Sequence, residues 1–421
     1  MHLAAFLWAI THTVVLRDSN EYWNAAINFS KNGTFYCFDM EQPIDFRGFT
    51  KRPPLYPLFL WLVSKKWLVL LIQNGLSIFN IYLAFRIFTP SDLNFLSTRR
   101  FLLLCFITLF SFSQFIYTNL VMADLFLQTF TVLIVWLLIK SWEKLNGLRL
   151  LFLVGLVILA LLTKPVVTFW IYFLPVFAIA ISIFQKKTFK TYVLFFLISL
   201  LPLVVYEETS KQNEKTTGLK HYSSISDINL LHYNTRYLLI NKYGSAEKAD
   251  EILAPLMVAT PNKIAYTENA SAIRKACKDL ILDNKWRYLK IHAAGALRML
   301  VDPGRFDLYQ FLKIDSDDKS GLMEKSMKSD GGLVSYVKKQ PIILLLALLL
   351  VFCFNLVKLF FFVRFTFNKQ QNLATRIIIL AAVLYFVGIT GPIGASRFLL
   401  PVLPFFMLGV LGQGKTKIEA N

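Results

Sequence analysis

Apolar residues in this chain form long runs that short polar connections separate. A helix needs about 20 apolar residues to cross roughly 30 Å of hydrocarbon. Runs that approach this length occupy residues 2–16, 67–88, 101–117, 121–139, 148–163, 165–184, 190–206, 341–363, 377–393 and 397–413. The pattern therefore predicts an all-α polytopic membrane protein with about ten transmembrane helices.

Two longer polar stretches, 17–54 and 207–340, interrupt the apolar runs. They divide the chain into an N-terminal transmembrane part, 1–206, a polar domain, 207–340, and C-terminal transmembrane helices, 341–421. Residues such as Ala272, Ala276 and Leu280 recur at helical spacing, so the polar domain is predicted to be mainly helical. The first run lacks a small-residue cleavage site, which favours a spanning helix over a signal peptide.

Composition and charge support this class and exclude others. Of the 421 residues 56% are hydrophobic and 17% are charged, whereas a soluble domain carries about 25% charged residues. The net charge of +19 comes from Lys and Arg clusters in alternate connections between apolar runs. Such clusters mark the cytoplasmic side and contact lipid headgroups, so we predict membrane lipids and not nucleic acid as partners, with 17–54 and 207–340 facing outward.

Cys37 and Cys277 both fall in the outward-facing stretches. Two free thiols are the favoured interpretation, and a disulfide stays open because sequence does not show proximity.

Two carboxylates directly follow the first run. If 17–26 is helical, Asp18, Glu21, Tyr22 and Ala25 share one face at i, i+3, i+4 and i+7 spacing. This places two acids at the membrane boundary, where they are either catalytic or a solvated helix end.

Asp124 is the only acidic residue between Asp92 and Glu143. A charge within a span normally faces a protein interior or a wet cavity with a partner. The alternative is an acid at a helix N-terminus, stabilised by the helix dipole.

Basic residues on the outward side form two further candidates. Lys51 and Arg52 precede Pro53 and Pro54, which fix an extended backbone. Paired cations of this kind suit a phosphate, or else anchor lipid headgroups. Arg397 lies at the outer end of the last run, where it either joins the same site or extends its charge to the interface.

The order of these segments resembles the GT-C glycosyltransferases of the protein O-mannosyltransferase and aminoarabinose transferase type. The resemblance rests on Asp18, Tyr22 and Ala25 followed by Arg52-Pro-Pro-Leu-Tyr-Pro57, with Asp124, Thr163-Lys-Pro165 and Arg397-Phe-Leu-Leu-Pro401-Val-Leu-Pro404 in sequence. It covers most of the membrane part and is strongest over 18–63.

The resemblance implies inverting transfer of a sugar from a polyprenyl-phosphate donor to a lipid, glycan or protein acceptor outside the cytoplasm, in a bacterial inner membrane. Asp18 would be the catalytic base, with Glu21 as its rival and Asp124 orienting the acceptor or base. Lys51, Arg52 and Arg397 would bind the donor phosphate, and Tyr22 and Tyr56 would line the substrate site. Whether a divalent metal takes part is left open; carboxylate ligands would suit Mg²⁺ or Mn²⁺. The alternative function is a transporter or flippase of lipid-linked sugars.

Overall fold

The protein is all-helical over the residues that the computed structural model describes, 1–12, 14–89, 98–314 and 341–413. The α-helices are α1 His2–Thr11, α2 Arg17–Asn32, α3 Leu55–Val63, α4 Lys66–Phe88, α5 Thr98–Leu109, α6 Phe112–Thr118, α7 Asp124–Glu143, α8 Gly147–Leu161, α9 Trp170–Phe184, α10 Phe189–Ser199, α11 Leu201–Thr217, α12 Ile225–Asn229, α13 Arg236–Tyr243, α14 Ala246–Leu253, α15 Lys263–Asp283, α16 Lys285–Val301, α17 Arg305–Leu312, α18 Ile342–Phe367, α19 Leu373–Ile389 and α20 Leu403–Leu408. Short 3₁₀ turns and one π-helical turn, Leu230–Thr235, connect some of them.

Five apolar helical segments in the described part are long enough to cross a membrane. They are Lys66–Phe88, Asp124–Glu143, Pro165–Phe184, Phe189–Thr217 and Ile342–Phe367. The bent pair Thr98–Leu109 and Phe112–Thr118 makes a sixth if it counts as one span. This composition fits a multi-pass membrane protein, although the described helices of spanning length are fewer than the ten predicted runs.

The other predicted runs are helical but shorter than a full span. They form the apolar helices His2–Thr11, Gly147–Leu161, Leu373–Ile389 and Ser396–Leu408. The last of these begins as a 3₁₀ helix, Ser396–Val402, that contains Pro401, and Pro404 follows in α20. Proline lacks the N–H that a regular helix needs, so this run does not form one continuous α-helix.

The bend in the run predicted at 101–117 measures 50° and lies between α5 and α6. The Ser111 hydroxyl there donates to the carbonyl oxygen of Ile107 at 2.7 Å. A serine that bonds back to the preceding turn commonly accompanies a bent helix.

Amide side chains inside the bundle connect the helices that carry the candidate site. Gln114 in α6 donates to the side-chain oxygen of Gln128 in α7 at 2.9 Å, and Gln128 donates to the Leu400 carbonyl oxygen at 2.7 Å. Both glutamines are fully buried. Because buried polar groups lose much stability when unpaired, these bonds fix the 3₁₀ helix Ser396–Val402 against α7.

The polar domain predicted at 207–340 has helices and a small apolar core of its own. That core includes Leu231, Leu239, Ala249, Ile273 and Cys277. The domain begins without a break, because α11 runs from the apolar bundle through the expected boundary at residue 206. Residues 315–340 lie outside the described residues.

The predicted free thiols are present: Cys37 and Cys277 are both buried and unbonded to each other. Instead of a disulfide, hydrogen bonds join the first polar stretch, 17–54, to the polar domain. Thr50 Oγ1 lies 2.7 Å from His221 Nε2, and Ser223 donates to the Lys51 carbonyl oxygen at 3.1 Å.

Candidate functional site

Helix α2 presents the two acids of the first polar stretch, 17–54, as the spacing predicts. The helix begins at Arg17, and the Ser19 hydroxyl accepts the N–H of Leu16 at 3.3 Å. Asp18 lies in the first turn, where the helix dipole stabilises a negative charge. Glu21 lies one turn later and is buried.

Glu21 pairs with both cations of the Lys51-Arg52 dipeptide. Lys51 Nζ lies 2.7 Å from Glu21 Oε1, and Arg52 Nη2 lies 2.6 Å from Glu21 Oε2. The same Arg52 nitrogen lies 2.7 Å from Asp18 Oδ1. Lys51, Arg52 and Glu21 are all buried, so they form the inner layer of the site.

Asp124, in the first turn of α7, forms the second half of the site. Arg397 donates from Nε and Nη2 to the two Asp124 oxygens, each at 3.1 Å. Lys164 Nζ lies 2.7 Å from Asp124 Oδ1. Arg397 Nη1 lies 2.9 Å from Asp18 Oδ2 and so joins the two halves.

The candidates selected from four separate segments of the sequence therefore belong to one ion cluster. We call the cluster the ion-pair site; its members are Asp18, Glu21, Lys51, Arg52, Asp124, Lys164 and Arg397. Its formal charge is +4 − 3 = +1. It is an unusual arrangement for a protein interior, because taking charges out of water is costly even when they are paired.

The ion-pair site has a more exposed part and a buried part. The side chains of Asp18, Arg397 and Lys164 are 28%, 21% and 17% exposed, whereas those of Glu21 and Asp124 are 5% and 4% exposed. A ligand that arrives from outside would meet the three more exposed groups first. We call Asp18, Lys164 and Arg397 the open edge.

The paired cations set the proton affinity of Asp18. Burial raises its pKa, but the charges of Arg397 and Arg52 outweigh burial and hold the pKa well below its usual range. Asp18 is therefore a carboxylate at neutral pH and a weak base as long as both guanidinium groups contact it.

Tyr22 and Tyr56 lie behind the ion-pair site. Arg52 stacks on the Tyr22 ring with its guanidinium carbon 4.8 Å from the ring centroid, and the two tyrosine rings are 4.9 Å apart. Tyr56 is fully buried and donates to Gln73 Oε1 at 2.6 Å. In this structure Tyr22 contacts Arg52 directly and Tyr56 contacts Tyr22, and their contact with substrate stays a prediction.

Lys164 is a member of the site that the sequence did not select. It lies between α8 and the 3₁₀ turn Pro165–Val167, in a connection that is otherwise nearly free of charge. Burial lowers its pKa to about 8, although Asp124 raises it. A signal was present in the sequence. The predicted orientation places Lys164 on the outward side, where an isolated lysine runs against the insertion bias, as the basic residues of the first polar stretch do.

No group of three or more His, Cys, Asp and Glu side chains that could hold a metal ion occurs among the described residues. The three carboxylates of the ion-pair site each contact lysine or arginine.

Comparisons with protein-family models, curated proteins and solved structures find no match to this chain. The resemblance to GT-C glycosyltransferases accordingly stays a prediction, and the residues of the ion-pair site carry the functional argument.

Proposed function

We propose that the protein is a membrane glycosyltransferase that moves a sugar from a polyprenyl-phosphate donor to an acceptor outside the cytoplasm, with inversion at the anomeric carbon. In this proposal the chain forms a GT-C-like bundle of about ten membrane crossings, with the ion-pair site facing outward from a bacterial inner membrane.

The observation that carries the proposal is the pairing of Asp18 with both Arg52 and Arg397 at the open edge. Each of the two guanidinium groups is within hydrogen-bond distance of the Asp18 carboxylate, so the proposed base lies beside the two proposed phosphate ligands. Arginine binds phosphate oxygens in pairs, and a site with excess positive charge favours a dianionic or monoanionic phosphate ester. The apolar helices around the site supply the surroundings that a polyprenyl chain requires.

Donor binding would activate Asp18 by exchanging its partners. The donor phosphate competes with the Asp18 carboxylate for Arg52 and Arg397, as one anion competes with another for the same N–H groups. Once these contacts pass to the phosphate, Asp18 loses the charges that depress its pKa and becomes a stronger base. The base is then generated only when the donor is in place.

The reaction itself has one bond-forming and one bond-breaking event. The acceptor oxygen attacks the anomeric carbon, and its proton passes to Asp18. The bond between that carbon and the phosphate oxygen breaks, and polyprenyl phosphate leaves with the electron pair. Arg52, Arg397 and Lys164 stabilise the charge that develops on the leaving phosphate.

Glu21 and Asp124 hold this arrangement in place. Glu21 anchors Lys51 and Arg52, and Asp124 anchors Lys164 and Arg397, each from a buried position. Pre-positioned donors of this kind need no reorganisation when charge develops in the transition state. In this proposal Asp18, not its rival Glu21, is the base, because Glu21 lies in the inner layer.

A transfer assay with purified protein in vesicles tests the proposal. A panel of polyprenyl-phosphate sugars is offered with candidate acceptors, and wild type is compared with Asp18→Asn and with Asp227→Asn as a control. Asp227 is a buried acid of the polar domain that pairs with Arg274 at 2.8 Å. We expect transfer by wild type and the control only, with loss of about 10²–10⁴-fold in Asp18→Asn.

Equal transfer by Asp18→Asn and wild type would refute the assignment of the base. Movement of the labelled donor across the vesicle membrane without any transfer product would instead identify the alternative, a flippase.

A further inference from the structure

The segment that precedes Arg397 is held by two carboxylates of the polar domain, the half-buried Asp302 and the buried Asp307. Asp302 Oδ2 accepts the backbone N–H of Ser396 at 2.7 Å. Asp307 Oδ2 accepts the Ser396 hydroxyl at 3.2 Å. Asp302 also accepts the N–H of Gly304 at 3.2 Å, which fixes the turn between the two acids.

Backbone packing holds the same loop from the other side. Gly394 has φ +59°, a conformation that favours glycine, and a Cβ at Gly394 would overlap the Gly295 carbonyl oxygen of α16. A Cβ at Gly295 would likewise overlap the backbone of Gly391 and Pro392. Helix α16 therefore lies directly against the loop, with no side chain between them.

Tyr117 connects this region with the ion-pair site. The Arg397 guanidinium carbon lies 5.7 Å from the centroid of the Tyr117 ring. Tyr117 is almost fully buried, and its hydroxyl interacts with Asp307. Arg397 thus has Asp18 and Asp124 as ion partners. Its guanidinium group also lies next to the Tyr117 ring, and the hydroxyl of that ring interacts with Asp307.

Using a carboxylate to hold a loop in a protein interior costs free energy, because the charged group loses contact with water. Asp307 is buried and Asp302 is half-buried, and burial raises the pKa of Asp307 to about 6. An asparagine or serine could accept the same hydrogen bonds at a lower desolvation cost. This desolvation cost indicates that function requires accurate placement of Ser396 and of Arg397 next to it.

We propose that Asp302 and Asp307 are positioning residues that hold Arg397 at the donor phosphate, so that the polar domain sets the geometry of the phosphate site. We call the pair the aspartate clamp. This inference rests on the proposed function. It assigns the polar domain a role in donor binding.

Binding of farnesyl phosphate to the full-length protein in detergent, measured by isothermal titration, tests the clamp. We expect Asp302→Ala and Asp307→Ala to weaken binding by about 10–100-fold, since small misplacements of a binding group cost this much. Asp307→Asn keeps an acceptor for the Ser396 hydroxyl and should bind within about threefold of wild type. Asp227→Ala, the matched control, should leave the affinity unchanged even where it lowers the melting temperature.

A double variant separates positioning from a direct contact. If the clamp acts through Arg397, then adding Asp307→Ala to Arg397→Ala produces no further loss of affinity. Wild-type affinity in both clamp alanine variants, alongside weakened binding in Arg397→Ala, would overturn the clamp and leave the proposed function standing. Wild-type affinity in Arg397→Ala would instead overturn the phosphate site of the proposed function.

Discussion

Removing the charge of Glu21 should strongly destabilise the protein. Glu21→Gln keeps the size of the side chain but leaves Lys51 and Arg52 facing an amide. Both cations are buried, with side chains 8% exposed, at 2.7 Å and 2.6 Å from the carboxylate. Arg17 also lies 3.7 Å from Glu21, but its side chain is 88% exposed and is screened by water.

The magnitude follows from the burial of the two cations. Breaking a buried ion pair by removing one partner costs about 3–5 kcal/mol, because an uncompensated charge remains. Arg52 still contacts Asp18, so the loss should lie near the lower end, about 3 kcal/mol. A typical protein has a total stability of about 5–15 kcal/mol, so this change is large.

Thermal melting in detergent measures the effect. We expect Glu21→Gln to lower the melting temperature by several degrees. Glu208→Gln, in the exposed pair with Lys211, should have no measurable effect. Adding Lys51→Met to Glu21→Gln removes one orphaned charge and should restore part of the loss. The reasoning is refuted if Glu21→Gln and Glu208→Gln melt at the same temperature as wild type.

Two further predictions concern the open edge. Because burial lowers the pKa of Lys164 to about 8, the side chain loses its charge as pH rises. The KM for the donor should therefore increase between about pH 7 and pH 9. Lys164→Arg, which keeps its charge over this range, should abolish the increase. A flat pH profile in wild type would contradict a phosphate contact of Lys164. Arg397→Lys loses the paired contact with Asp124 and should raise the donor KM by about tenfold, with a normal melting curve; an unchanged KM would show that the guanidinium shape is not used.

Much of the ion-pair site could be predicted from sequence because charges are rare in an apolar chain. Asp18, Asp124, Arg52 and Arg397 all lie next to long apolar runs, and each needs a partner there. The i, i+3 spacing of Asp18 and Glu21 was also enough to predict that both lie on one face of a helix, which is α2.

Other features depend on contacts between distant segments, which local patterns do not contain. Lys164 belongs to the site because of its ion pair with Asp124. Asp302 and Asp307 are connected to the site through hydrogen bonds to Ser396. Their carboxylates occur in a polar stretch where acids are common, so nothing in the local sequence distinguished them. The runs 101–117 and 397–413 were predicted as continuous helices because hydropathy does not register the effects of serine and proline on helix geometry.

The central claim is that the open edge binds the phosphate of a polyprenyl donor. A structure of the protein with a bound polyprenyl phosphate tests it most directly. The phosphate oxygens should lie about 2.7–2.9 Å from the Arg397 guanidinium and the Lys164 ammonium, with Asp18 released from Arg397. A phosphate bound elsewhere, with the contact between Asp18 and Arg397 intact, would contradict the account.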